Sequence, residues 1–299
     1  MNRRDGIAPK VKTQRQPIDA LVTLLVWDAH AAVVRMLDSI ERQQDNRARW
    51  RLFILDQGSA PETADLLVQF ARRRPELVHL ERISENIGYP AGHNLLHRIA
   101  SRSHDPRYVV TLNSDLVLND PNWLDILVGF MNAKPMVGIA GPTGVIYQRT
   151  PPERLGWCRV ALSEEMRSGE FDSISGSICI LREQMLRDIG YFDESFTPGY
   201  FEDTDLAFRA KACGWQLAAI EVPHAHHDLG PEQSTSHIKH EQLAAQYGNF
   251  QKRNRNLFVE RWLTRGVPPL NSNACRSNFP GVYFPENPSA TEHVVAAAT

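Results

Sequence analysis

Residues 20–44 read "ALVTLLVWDAHAAVVRMLDSIERQQ", and the two halves of the stretch follow different periods. The first eight residues are apolar except for Thr23. A run that short, stopped by Asp28, has the length and branched composition of a buried strand. From Ala31 onward the apolar residues fall at helical spacing. The same alternation then repeats. "RLFILD" (51–56) reads as a second strand, and "PETADLLVQFARRR" (61–74) as a helix that opens on proline and early acids. "LVHLER" (77–82) is a third strand, "GHNLLHRIASR" (92–102) a helix and "RYVVTLN" (107–113) a fourth strand. This order predicts an α/β fold whose mainly parallel central sheet carries helices on both faces.

Past Asp115 the alternation loosens. "PNWLDILVGFMN" (121–132) is a helix, "MVGIAGPTGVIYQ" (136–148) a strand, turn and strand, and residues 149–172 an irregular, charged stretch read as a lid or acceptor loop. "SISGSICIL" (173–181) returns as a strand, "REQMLRDIG" (182–190) is a short helix stopped by Gly190, and "WQLAAIEV" (215–222) is the last clear strand. A long helix is expected from about Ser236 to Arg265, basic in its second half, and an extended tail after Gly266. The partition read from this is a flexible basic arm (1–17), a main α/β domain (18–232), a helical extension (233–265) and a tail (266–299).

Composition narrows the function. The 299 residues carry 33 Lys and Arg against 35 Asp and Glu, a formal net charge of −2, which removes the electrostatic motive for general nucleic-acid binding. The 4 cysteines stand apart with no C-x-x-C pair, as expected of reduced thiols in a cytoplasmic protein rather than of a disulfide frame or zinc knuckle. No stretch reaches the roughly 18 apolar residues of a membrane span, and residues 1–17 lack the apolar segment of a signal peptide. The basic half of the last long helix reads either as a solvated face or as a peripheral contact with an anionic membrane surface.

Parallel sheets bind ligands at the carboxyl ends of their strands, and polar groups gather at such ends here. Asp56 ends "ILDQ"; it is either an acceptor for the imide N–H of a base or a helix-start acid. Asn113 and Asp115 of "LNSDLVL" (112–118) leave the same side of the chain two residues apart. They read as a ribose and divalent-metal pair or as an Asx turn. No phosphate-binding glycine loop is present, because Gly88 and Gly92 of "NIGYPAGHN" (86–94) have the wrong spacing. A diphosphate would then be neutralised by a carboxylate-held cation, Mn²⁺ or Mg²⁺. "GYFEDTDLAFRAKACGW" (199–215) sets Glu202, Asp203 and Asp205 in the first turn of a helix. Acids there complement the helix dipole. Asp203 also suits a general base, Glu202 an acceptor-orienting group, and Asp205 an ion pair with Arg209 four residues on. "HAHHD" (224–228) reads as a late metal ligand, as surface histidines, or as an echo of a zinc-hydrolase signature that lacks its final histidine.

In order along the chain, "LDQGS", "ENIGYPAGHN", "LNSDLVL", "SGSICILREQMLRDIGYFDESF", "YFEDTDLAFRAKACGW" and the histidine cluster resemble the family 2 glycosyltransferases of GT-A fold, including rhamnosyltransferase-like members of cell-envelope pathways. The resemblance runs from about Leu21 to Gly230. It implies a metal-dependent inverting transfer of a sugar from a UDP, dTDP or GDP donor to a saccharide or lipid-linked acceptor. By resemblance Asp56 contacts the base and Asp115 holds the metal, with His226 or His227 as its late ligand. Asp203 is then the catalytic base. Trp27, Asn86, Gly88, Asn94, Asn113 and Glu202 are expected on the substrate side. Two departures stand out: "LVWDAHAA" (25–32) where the family has a Thr-Tyr-Asn-Arg-like end, and Asn113 where many members have aspartate. The readings held open beside it are a sugar-nucleotide-binding protein without turnover and a zinc hydrolase.

Overall fold

The computed structural model describes residues 15–42, 47–149, 155–159, 171–220, 225–227, 244–264 and 272–284. The four alternating units expected from the sequence are present. Strand β1 (Gln16–Val26) leads to α1 (His30–Glu41), β2 (Trp50–Gln57) to α2 (Pro61–Arg73), β3 (Val78–Ile83) to α3 (Tyr89–Ala100), and β4 (His104–Leu112) follows. Then come β5 (Leu116–Leu118), α4 (Trp123–Ala133), β6 (Val137–Gly141), β7 (Gly144–Arg149), β8 (Leu155–Arg159), β9 (Ser173–Ile174) and β10 (Ile178–Arg182). The chain continues through α5 (Glu183–Ile189), α6 (Glu202–Ala212), β11 (Gln216–Ala219), β12 (Ala225–His227), α7 (Ala244–Val259) and α8 (Ser272–Asn278).

The central sheet has seven strands in the order β11-β6-β10-β4-β1-β2-β3. Strands β1 to β4 pair in parallel, as β6 does with β11, while β10 runs antiparallel between β4 and β6. Alternation along β1 divides the core. Ala20, Val22, Leu24 and Val26 pack with Met36 and Leu37 of α1, Leu67 of α2 and Leu124 and Leu127 of α4. Leu21 faces the other way, in the cluster that holds Leu96 of α3, Met185 of α5, Leu206 of α6 and Phe258 of α7. A period of two in the strand thus supplies both faces at once.

Two parts differ from the sequence reading, and a third is described only in part. The stretch read as irregular from 149 contains β8, which pairs with β7 as far as Arg149–Leu155; β7 also pairs with β9 in a three-stranded sheet. The long helix is described over Ala244–Val259 and closes in a π-helical turn at Glu260–Thr264; its expected first residues, 236–243, lie outside the described residues, as do residues 1–14 of the basic arm. The tail is not extended throughout. Helix α8 and the residues behind it return to the core, where Cys275, Phe279, Val282, Tyr283 and Phe284 are buried and Val282 bridges to Asp193. Among the described residues, no helix is long and apolar enough to cross a membrane.

Candidate functional site

A cavity of about 440 Å³ opens over the carboxyl ends of β1, β2 and β4. Two left-handed kinks of non-glycine residues border it. Asp28 and Ala29 (φ 56° and 58°) follow β1, and Tyr200 and Phe201 (φ 74° and 71°) precede α6. Such backbone is costly for residues with a Cβ and gathers where a site must be shaped.

At the β1–β2 end, Trp27 lines the cavity. Asp28 is buried; its N–H donates to Ser59 Oγ at 2.9 Å and its Oδ1 accepts from Ala60 N at 2.6 Å. The unusual "LVWDAHAA" turn is therefore tied to the turn after β2. Asp56 lies behind the cavity wall and does not line it. It is fully buried, with Oδ1 accepting from Ser59 N and Oδ2 from Arg82 Nε, both at 2.9 Å. The next residue, Gln57, reaches the cavity instead. Its Oε1 accepts the N–H of Ile87 at 3.1 Å, so its NH₂ is what it has to offer a ligand. The sequence reading passed over Gln57 because a carboxylate one residue earlier carried the more obvious chemistry.

The "NIGYPAGHN" segment divides. Asn86 and Gly88 line the cavity, and Asn86 Oδ1 accepts from Gly88 N at 2.8 Å. Gly88 has φ +89°, and a Cβ there would lie 2.8 Å from the Pro198 carbonyl oxygen, so glycine is required where α3 starts under the 197–200 loop. Asn94, by contrast, is in the core. Its Nδ2 donates to Phe192 O and Glu194 Oε1, and its Oδ1 accepts from Phe192 N. Fully buried, with both amide protons spent on holding the turn after α5, it is removed from the substrate side.

At the far end, α6 begins on the cavity wall. Asp203 is held by three donors: Gly176 N reaches Oδ2 at 3.1 Å, and Thr204 N and Oγ1 reach Oδ1 at 2.6 and 3.2 Å. Burial raises its pKa despite those bonds. Glu202 is buried beside it, and its Oε2 has no hydrogen-bond partner among the described residues. Burial first, and the Asp203 charge second, push Glu202 well above the usual carboxylate range. Asp205 points inward to Arg209 at 2.8 Å, the structural pair its spacing predicts. Ser175, Gly176 and Ser177 add polar backbone to the wall; the sequence reads them as part of one strand over 173–181, whereas they form the break between β9 and β10.

Asn113 lines the cavity, and its N–H donates to Ser177 O at 3.0 Å. Asp115 follows between β4 and β5. Strand β12 pairs antiparallel with β5, setting His226 opposite Val117 and His227 opposite Leu116, the residue after Asp115. The ladder thus brings the histidine strand beside the acid from which it is over a hundred residues distant in sequence. His224 and Asp228 lie outside the described residues.

A family model, "Glycosyl transferase family 2", matches residues 26–190, more than half of the chain. The chain belongs to glycosyltransferase family 2. Its fold is GT-A, the mostly parallel sheet flanked by helices described above. Similar solved structures include the mannosyltransferase PcManGT from Pyrobaculum calidifontis in complex with GDP-Man and Mn²⁺, at 13% identity and TM-score 0.55 over 89% of this chain and 80% of that one. GalNAc-T7 with UDP, GalNAc and Mn²⁺ is similar at 13% identity and TM-score 0.57, over 70% of this chain. S. aureus TarS is similar at 16% identity and TM-score 0.50, over 72%. The glycosyltransferase spans only 43% of the GalNAc-T7 chain and 37% of the TarS chain. At these identities the likeness is one of fold. No curated protein sequence matches the chain.

Proposed function

We propose that this glycosyltransferase moves a sugar from a nucleoside diphosphate donor to a hydroxyl of a saccharide or lipid-linked acceptor, inverting the anomeric centre with Asp203 as general base. The observation that carries the reading is the Asp203 carboxylate, fixed on the cavity wall by Gly176 and Thr204 and made more basic by burial. The acceptor hydroxyl gives its proton to Asp203 as its oxygen bonds to the anomeric carbon. The bond to the diphosphate oxygen breaks on the opposite face, and the diphosphate leaves with the electron pair. Glu202, beside the base, orients the acceptor.

Trp27, Gln57 and Asn86 surround the base end. With Asp56 buried behind the cavity wall, the NH₂ of Gln57 is the group that reads the base, pairing with a carbonyl such as those of uracil, thymine or guanine. Asp115 fits a hard divalent cation, and the register that sets His227 one position from it supports His226 or His227 as the partner ligand. The Mn²⁺ in two of the similar structures also supports a cation, Mn²⁺ or Mg²⁺, here. When bound, it neutralises charge on the leaving diphosphate.

Thermal-shift titration with UDP, dTDP, GDP and CDP, each with Mn²⁺ and then with EDTA, tests the donor site. One nucleotide is expected to raise Tm only with metal; no shift with any of them overturns the reading. Asp203→Asn is expected to lower kcat by about 100-fold or more while donor affinity stays unchanged. Near-normal turnover in that variant would remove the base from the mechanism.

A further inference from the structure

Away from the cavity, two cysteines meet. Cys213 is the C-cap of α6 and Cys275 lies within α8, 62 residues further along, yet their Sγ atoms are 3.5 Å apart. That is a contact between two thiols; a disulfide would bring the sulfurs about 1.5 Å closer. The elements that carry them are already packed together. Phe279, just past α8, stacks on Trp262 with ring centroids 5.6 Å apart, and Trp262 Nε1 donates to Asp205 of α6 at 2.8 Å.

We propose that Cys213 and Cys275 are a disulfide-forming pair, which a small-molecule disulfide such as oxidised glutathione closes to staple α8 onto the end of α6. Exposure orders the two steps. Cys213 is only partly buried, whereas Cys275 is fully enclosed. Cys213 loses its proton to water and its thiolate attacks one sulfur of the oxidant. The oxidant's S–S bond breaks and one equivalent of thiol departs. Cys275, already in contact, loses its proton and attacks Cys213 Sγ, expelling the second thiol. Two protein thiols are oxidised, and one small-molecule disulfide is reduced to two thiols. Burial raises both cysteine pKa values, that of Cys275 to about 12. The exchange is therefore slow at neutral pH, and the finished bond resists reduction because its sulfurs leave poorly. Cys179 is a built-in comparison: it is buried elsewhere, with its Sγ 3.0 Å from the Ser175 carbonyl.

The closed loop contains β12 and α7, so the bond constrains the unfolded chain over a long span, and a rise in Tm of roughly 5–10 °C is expected. The test incubates the full-length protein with oxidised glutathione, blocks remaining thiols and maps peptides without reduction. The expected result is one linked pair of peptides carrying Cys213 and Cys275, 2 hydrogens lighter than the sum, with a higher Tm that dithiothreitol reverses. Cys213→Ser, at a partly exposed site that leaves packing intact, should lose both the link and the rise. A persistent glutathione adduct on Cys213 without the link overturns the proposal. So does a link through Cys158 or Cys179, a linked protein whose Tm is unchanged or lower, or no reaction.

Discussion

Glu202 and Asp203 sit side by side at the first turn of α6, and the fold treats them differently. Asp203 has three donors on its carboxylate, whereas Glu202 Oε2 is buried with none among the described residues. Burial favours the protonated form of Glu202 in the folded state. In the unfolded chain it ionises in the ordinary carboxylate range. Between those two pKa values the native state binds the extra proton, so stability falls as pH rises through that window and stays lower above it. Glu202→Gln removes the penalty. The variant is expected to match the wild type near pH 4 and to gain stability toward pH 8, by about 1.4 kcal/mol for each unit by which folding raises the group, while losing acceptor affinity. Tm measured at both pH values checks it; an equal difference at pH 4 and pH 8 would show that Glu202 ionises normally. A buried acid with one unsatisfied oxygen beside the proposed base illustrates stability given up at a candidate site.

At the scale of elements, α6 is fixed by ion pairs that reach from its interior to the end of α7. Arg209 is fully buried; it bonds Asp205 at 2.8 Å and donates to the carbonyls of Ile189 and Tyr191. Arg261, in the π turn after α7, bonds Asp205 at 2.8 Å and Asp193 at 2.7 Å. Burial alone would raise the Asp193 pKa, but Arg261 and the Ser195 N–H together outweigh it and the pKa falls. Asn254 adds bonds at 2.7 Å to the carbonyls of Phe196 and Gly199, and Arg253 bonds that of Thr197, so α7 clamps the loop that leads into the turn before α6. Two of the basic residues that read as a membrane-facing stripe, Arg253 and Arg261, are thus occupied within the fold. Arg261→Met leaves Asp193 buried and uncompensated, a loss of about 3–5 kcal/mol at neutral pH. A depressed carboxylate contributes stability above its unfolded pKa and loses it as pH falls through the folded value. The deficit of the variant should therefore shrink toward pH 3. Urea unfolding at both pH values measures it, and a deficit independent of pH would contradict the ion pair.

Across the whole molecule, legibility in sequence followed how local the determinants are. The strands β1 to β4 and the helices between them announce themselves by period and by Pro61 and Asp56 at their boundaries, as α5 does by Gly190 at its end. Asp203 was legible because an acid-rich helix start is a local pattern. Gln57 and Asn94 were not, because which of two neighbouring polar residues faces a cavity depends on the sheet and on Phe192, 98 residues from Asn94. The β12–β5 ladder and the return of the tail are likewise decided by distant partners. The family match ends at residue 190, and the proposed base and the C-terminal segment lie beyond it, although that segment packs back on His97, Arg98 and Gly190 within the match. The unit that folds is accordingly larger than the segment that identifies it. Phe279, Val282, Tyr283 and Phe284 are buried, and Gly190 is packed so closely that a Cβ would lie 2.1 Å from Val282 Cγ1. At about 1.5–3 kcal/mol for each buried large apolar side chain, removing these four withdraws an amount comparable with the whole stability of a domain, about 5–15 kcal/mol. A chain truncated after Thr264 is therefore expected to be insoluble, or to lose cooperative unfolding and near-UV circular dichroism while keeping much of its secondary structure. A soluble truncated chain that melts cooperatively within a few degrees of the full protein would show instead that residues 272–284 merely rest on a finished core.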